Sequence, residues 1–375
     1  MFTAFKERVD NPHDYARKWK EKTGGPVIGY FCTYAPEEIM YAAGILPVRI
    51  LGISEPSSAA GPHIFGMYCP WCRSCLNQGL LGRYDYLNGI MEAQSCIHVR
   101  QSYGSWKIHI PIEFAYYLTM PNHIQSPRAV PYLVKELQNF KKKLEEWTGK
   151  KITDDDLNAA IEVYDTNRRL TKQIYETRKR IDVPLSGREA IYMVLASQVS
   201  DKAEQNEELK KTLGQLDTRP MDQERTGTRL MQIGSEQNDA DFTGMIESLN
   251  AVVVIDEHCG GTRYFWNETP KDGDPITRIA RRYVDRPPCP SKDWPVRRRL
   301  PHIQKLAEEY NVQGVLLVQQ KFCDPHEADM PVIAQMFKDM NIPTYPLELD
   351  VTIPYGQFKI RTEAFIEMIE QELLF

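Results

Sequence analysis

The feature that most constrains this chain is a set of short apolar runs, each followed by a polar turn and then a stretch with helical spacing. PVIGYFCTYA, LPVRILGI, TRLMQIGS, AVVVIDE, GVLLVQQ and PTYPLEL read as strands, PVIGYFCTYA as a short buried one and GVLLVQQ as near-continuously apolar. Strands of this kind are buried on both faces. Their alternation with helical stretches such as DADFTGMIESL, HIQKLAEEY and PVIAQMFKDM predicts an α/β fold built on mostly parallel sheets. In such sheets the working loops leave the carboxyl ends of the strands.

Residues 1–24 read as one amphipathic helix stopped at Gly24-Gly25, and a helix is expected from Pro36, with Glu37 and Glu38 as ordinary first-turn charges. Weak periodicity in residues 60–125, dense in Cys, Trp, Tyr and His, predicts loops carrying a site. Residues 131–225 carry apolar positions at helical spacing with charged outer faces. Thr153 with Asp156 and Ser186 with Glu189 match the capping box. Thr362 is expected to cap the last helix, TEAFIEMIEQELL. The predicted organisation is an α/β domain at 1–130, a helical subdomain at 131–225 and a second α/β domain at 226–375. That agrees with 375 residues at about 150 per domain.

Charge and composition exclude several functions. The 46 Lys and Arg against 51 Asp and Glu give a net charge of -5, with no basic excess for a nucleic-acid backbone. No apolar run reaches the roughly 18 residues of a membrane span, and the charged N-terminus lacks a signal-peptide core, so the cytoplasm is the expected home. Neither a phosphate-binding G-x-x-x-x-G-K-[ST] loop nor a G-x-G-x-x-G fingerprint occurs; ATP, if used, belongs on a partner.

Chemistry concentrates in the cysteines. MYCPWCRSCL spaces Cys69, Cys72 and Cys75 two residues apart, as in loops that wrap an iron–sulfur cluster. Four-cysteine zinc sites usually show two separated C-x2-C pairs, and a second pair is missing here, so the spacing favours iron–sulfur over zinc and over plain packing thiols. Cys32, Cys96 and Cys323 stand at predicted strand ends. Cys259 and Cys289 lack such company and read as structural thiols. Other candidates carry a bland reading: His98, His258 and His326 as core or surface histidines, Asp256-Glu257 with Gly260-Gly261 as a tight turn, and Arg297-Arg298-Arg299 as a solvated patch.

Four blocks in order, GYFCTYAPEEIMYAAGILPVRILG, YCP...RS with GIMEAQSC, AVVVIDEHCGGTRYF, and QQKFCDPHEADMPVIAQMFKDMNIPTYPLELD, resemble the 2-hydroxyacyl-CoA dehydratase and benzoyl-CoA reductase family over nearly the whole chain. The resemblance is greatest to the smaller, cluster-bearing subunit type of ATP-dependent benzoyl-CoA reductases. It implies two flavodoxin-like domains with a helical insertion. It also implies a [4Fe-4S] cluster on Cys69, Cys96 and Cys323, or, with Cys32, Cys72 and Cys75, the double-cubane [8Fe-9S] cluster of a related branch. The implied partners are a homologous acyl-CoA-binding subunit, an ATP-hydrolysing iron–sulfur activator and an aromatic acyl-CoA substrate. The implied function is low-potential electron transfer that dearomatises the acyl-CoA ring. A dehydratase subunit and a non-catalytic zinc- or cluster-stabilised scaffold are the alternatives.

Overall fold

The computed structural model describes residues 2–220 and 225–372. Its frame is two four-stranded parallel sheets. The first holds β1 (Val27–Tyr30), β2 (Leu46–Arg49), β3 (Gly89–Ala93) and β4 (Phe114–Leu118) in the order β2-β1-β3-β4. The second holds β5 (Thr228–Gly234), β6 (Ala251–Glu257), β7 (Gly314–Gln320) and β8 (Thr344–Leu349) in the order β6-β5-β7-β8. Each half therefore has the flavodoxin-like order 2-1-3-4, reversing direction between its first and third strands. At that switch in the second sheet, a Cβ on Gly234 would stand 1.7 Å from the Val318 carbonyl oxygen, so only glycine permits the pairing of β5 with β7. β1, β6 and β7 are buried at every residue, as their uninterrupted apolar runs predict.

Between the sheets in sequence lie the helices Ala129–Thr148, Asp154–Glu176, Gly187–Val199 and Lys202–Leu216. Both expected capping boxes are present, with the Asp156 N–H donating to Thr153 Oγ1 at 3.1 Å and the Glu189 N–H to Ser186 Oγ at 3.1 Å. Residues 221–224, just before the predicted boundary at 225/226, and residues 373 and 374 of the predicted last helix lie outside the described residues.

Local readings are corrected at three places. The N-terminal stretch is two helices, Thr3–Asp10 and Pro12–Thr23, because Pro12 lacks the N–H that a continuous helix needs and instead opens the second one. Residues 60–125 are not a run of loops: the helices Pro70–Leu80 and Ile97–His109 and the strands β3 and β4 complete the first half, and its aromatic residues, Trp106 among them, fill the core. Thr362 is buried inside a helix, Tyr355–Glu372, that begins seven residues before it. Among the described residues, no helix is long and apolar enough to cross a membrane.

Glu37 and Glu38, at the start of the helix Glu37–Ala42, are fully buried and tie three parts of the chain together. Glu38 pairs with Arg168 of the helix Asp154–Glu176 and accepts from the Tyr283 hydroxyl of the second half at 3.0 Å. Glu37 meets the Lys202 ammonium at 3.3 Å and the Tyr264 hydroxyl at 3.0 Å. Burial pushes the Glu38 carboxyl up, but the guanidinium charges of Arg168 and Arg282 outweigh it and hold Glu38 below the usual range. Arg168→Met leaves that carboxylate buried without its partner and is expected to cost about 3–5 kcal/mol. In a denaturation cycle, Glu38→Gln combined with Arg168→Met should lose less than the sum of the two single losses.

His13 docks the second N-terminal helix, its ring edge-on to Tyr84 at 4.6 Å and Nδ1 3.2 Å from the Tyr86 hydroxyl. Burial first, then Arg17 and Arg83, pulls the imidazole down to about 4, against weaker opposing effects of Asp14 and Asp85. The unfolded chain takes up this proton near pH 6.5 and the folded chain does not. His13 therefore contributes stability that is intact above about pH 6.5 and is lost as the pH falls toward 4. Urea midpoints at about pH 7.5 and about pH 5 should differ more for the natural chain than for His13→Phe.

Candidate metal centre

The carboxyl ends of both sheets open onto one cavity of about 200 Å³. The loop after β1 contributes Cys32, and that after β3 contributes Cys96. The second half supplies Cys259 after β6, Cys323 after β7, and Cys289 from the segment following the helix Pro275–Asp285. Cys69 and Cys72 complete the wall. Seven of the eight cysteines thus face one space.

Cys75 is the exception. The C-x2-C-x2-C run is the start of the helix Pro70–Leu80 and not a loop, so at 1.5 Å rise per residue Cys75 stands about 9 Å along the axis from Cys69. Its sulfur lies 3.7 Å from the Ile50 carbonyl oxygen in the core and does not line the cavity. Cys259 and Cys289, read from sequence as structural thiols, do line it. No spacing motif marks them; the signal available was position, since Cys259 directly follows a fully buried strand and its next residue.

Local structure aims the thiols. Cys69, Cys96 and Cys323 each occupy the N-cap position of a helix. Phe322, at φ 62°, makes the left-handed turn that leads into Cys323. The Cys69 N–H donates to His98 Nδ1 at 3.1 Å, and Ser102 Oγ to the Cys72 carbonyl at 2.8 Å. Across the cavity, Thr33 Oγ1 donates to the Cys259 carbonyl at 3.2 Å, joining the β1 and β6 loops directly.

Burial pushes the thiols of Cys72, Cys259 and Cys323 well up, and that of Cys32 up to about 12. Cys96 moves the other way: a hydrogen bond from Cys72 outweighs burial and, with the N–H groups of Val99 and His98, brings it down to about 7. Buried cations surround these sulfurs. Arg263 and Arg286 line the wall, and Lys292 lies behind it with no exposure. Among the described residues, Arg286 and Lys292 have no carboxylate within ion-pair distance. An unpaired buried cation is costly, so this cavity suits an anionic occupant.

The remaining candidates are structural. Asp256 accepts from the Tyr175 hydroxyl and the Thr262 N–H, each at 2.8 Å, and a Cβ on Gly261 would lie 1.8 Å from its Oδ1. The Asp256 turn thereby fixes the Cys259 loop. Glu257 pairs with buried Arg299, which also meets Asp329 at 2.7 Å; Arg299 is an internal clamp, while Arg297 and Arg298 are half-buried. His258 is buried away from the wall, whereas His98 and His326 line it.

The model of the family described as 2-hydroxyglutaryl-CoA dehydratase, D-component, matches residues 32–369. The chain belongs to that family. It is 27% identical over 374 residues, 98% of each chain, to the (R)-phenyllactyl-CoA dehydratase beta subunit of Clostridium sporogenes. A benzoyl-CoA reductase subunit of Thauera aromatica is 28% identical over 88% of this chain and 86% of its own. The (R)-2-hydroxyglutaryl-CoA dehydratase beta subunit of Acidaminococcus fermentans is 24% identical over 98% of this chain and 99% of its own. The family therefore comprises subunits of dehydratases and of a reductase that act on CoA thioesters.

Proposed function

We propose that the cavity holds an iron–sulfur cluster and that the chain is the cytoplasmic, low-potential electron-transfer subunit of an ATP-dependent benzoyl-CoA reductase. The observation that carries this reading is the convergence of seven thiols with buried cations that lack carboxylate partners. Among the described residues, no three His, Cys, Asp or Glu side chains close around a single ion. The thiols instead ring a volume several times the about 30 Å³ share of one water, which suits a polynuclear anion carried on thiolates.

The distribution of the thiols favours the double cubane over one [4Fe-4S] unit. Cys32, Cys69 and Cys96 come from the first half and Cys259, Cys289 and Cys323 from the second, three for each cubane. Cys72, in hydrogen-bond contact with Cys69 and Cys96, supports that side. In this ligand set Cys259 and Cys289 replace Cys75 and Cys72.

When bound, such a cluster supplies single electrons at low potential. The chain's own residues hold its sulfurs in place, balance its negative charge through Arg263, Arg286 and Lys292, and keep water out with Phe31, Trp71 and Val99. About 200 Å³ is below the roughly 300–1,000 Å³ of ordinary ligand pockets, which supports a reading with the acyl-CoA held elsewhere. In this reading the thioester belongs on a homologous companion subunit, and ATP on a separate iron–sulfur activator. A dehydratase subunit is the second reading, favoured by the 98% coverage of the phenyllactyl-CoA dehydratase beta subunit.

Anaerobically isolated protein should contain iron and acid-labile sulfide. Cys259→Ser and Cys323→Ser should each lower the iron content, while Cys75→Ala should leave it unchanged; loss of iron in Cys75→Ala alone would overturn the ligand set. With companion and activator supplied, ATP-dependent loss of aromatic absorbance from benzoyl-CoA would support the reductase. Enoyl-CoA formation from a 2-hydroxyacyl-CoA without ring reduction would establish the dehydratase instead.

A further inference from the structure

Resting on the cavity as a cluster site, we infer that Arg263 is the positioning residue that fixes the Cys259 sulfur and sets the cluster's reduction potential from that side. Arg263 is 1% exposed, and both ends of its fork are engaged. Nη2 donates to Cys259 Sγ at 3.3 Å and to the Gly234 carbonyl at 2.6 Å; Nη1 lies 3.3 Å from His326 Nε2. Nε stands 3.3 Å from Glu257.

Other charged groups on or near the wall act differently. Arg49 pairs with Glu236, and Arg286 donates to the carbonyls of Thr33 and Arg263, so neither is bonded to a sulfur. Glu257 is shared between Arg299, which donates to it from Nε and Nη2, and the nearby Nε end of Arg263. The Nη2 end of Arg263 is the part that faces the cavity, with its N–H on the Cys259 sulfur. A guanidinium is not deprotonated in proteins, so this donor is permanent. The short helix Thr262–Phe265 that carries it is pinned by the Asp256 turn, leaving the sulfur contact little freedom.

A permanent cation bonded to a ligand sulfur favours the state with one more electron, so it raises the potential. Removing it should move the potential downward. Redox titration followed by electron paramagnetic resonance should give a more negative midpoint for Arg263→Gln than for the natural protein. Arg263→Lys, which keeps the charge but not the fork, should fall between them. Iron content of each sample is measured alongside. In the natural protein labelled with ¹⁵N-arginine, a hyperfine coupling from a guanidinium nitrogen to the reduced cluster is expected, and Arg263→Lys should abolish it. That second measurement stands if Arg263→Gln fails to fold. An unchanged midpoint in iron-replete variants, or absence of the coupling, would overturn the role of Arg263 while leaving the cluster reading intact. Absence of iron and sulfide in the natural protein would instead overturn the cluster reading.

Discussion

The adjacent buried carboxylates of Glu37 and Glu38 are the constraint on which the rest of the molecule depends. They sit on the first half, yet their partners come from the intervening helices, Arg168 and Lys202, and from the second half, Tyr264 and Tyr283. Charges taken out of water are tolerated only in near-ideal geometry, so a small rotation of one half against the other would leave a carboxylate unpaired. Packing alone would permit sliding. The ion pairs fix the angle at which the two sheets present their carboxyl ends, and the cavity depends on that angle.

Much of this was legible in the sequence, because the fold follows from patterns that act locally. Continuous apolar runs specify strands buried on both faces, and the capping boxes at Thr153 and Ser186 start helices at those residues. The failures share a physical cause. β4, FAYYL, alternates too little to stand out from an aromatic-rich loop, whereas β3 was marked by Cys96 near its end. Glu37 and Glu38 look like helix-end charges in the sequence because nothing local distinguishes a solvated carboxylate from one whose arginine lies 130 residues away.

The site was legible in the same proportion. The C-x2-C-x2-C spacing was the brightest signal, yet spacing gives distance along the chain and not direction. Once Pro70 starts a helix, Cys75 turns into the core. Cys259 and Cys289 reach the cavity through the strand order of the second sheet and through the segment after Arg286. Both are tertiary facts. No relative spacing of cysteines encodes them.

The equal strand orders of the two halves have a consequence for how the protein matures. Four of the seven thiols that face the cavity come from the first half and three from the second, so neither half alone presents the whole wall. A group held on those thiols would be bound by the docked form, and its binding free energy would also be docking free energy. It would add a second set of ties to the buried hydrogen bonds and ion pairs that already join the halves.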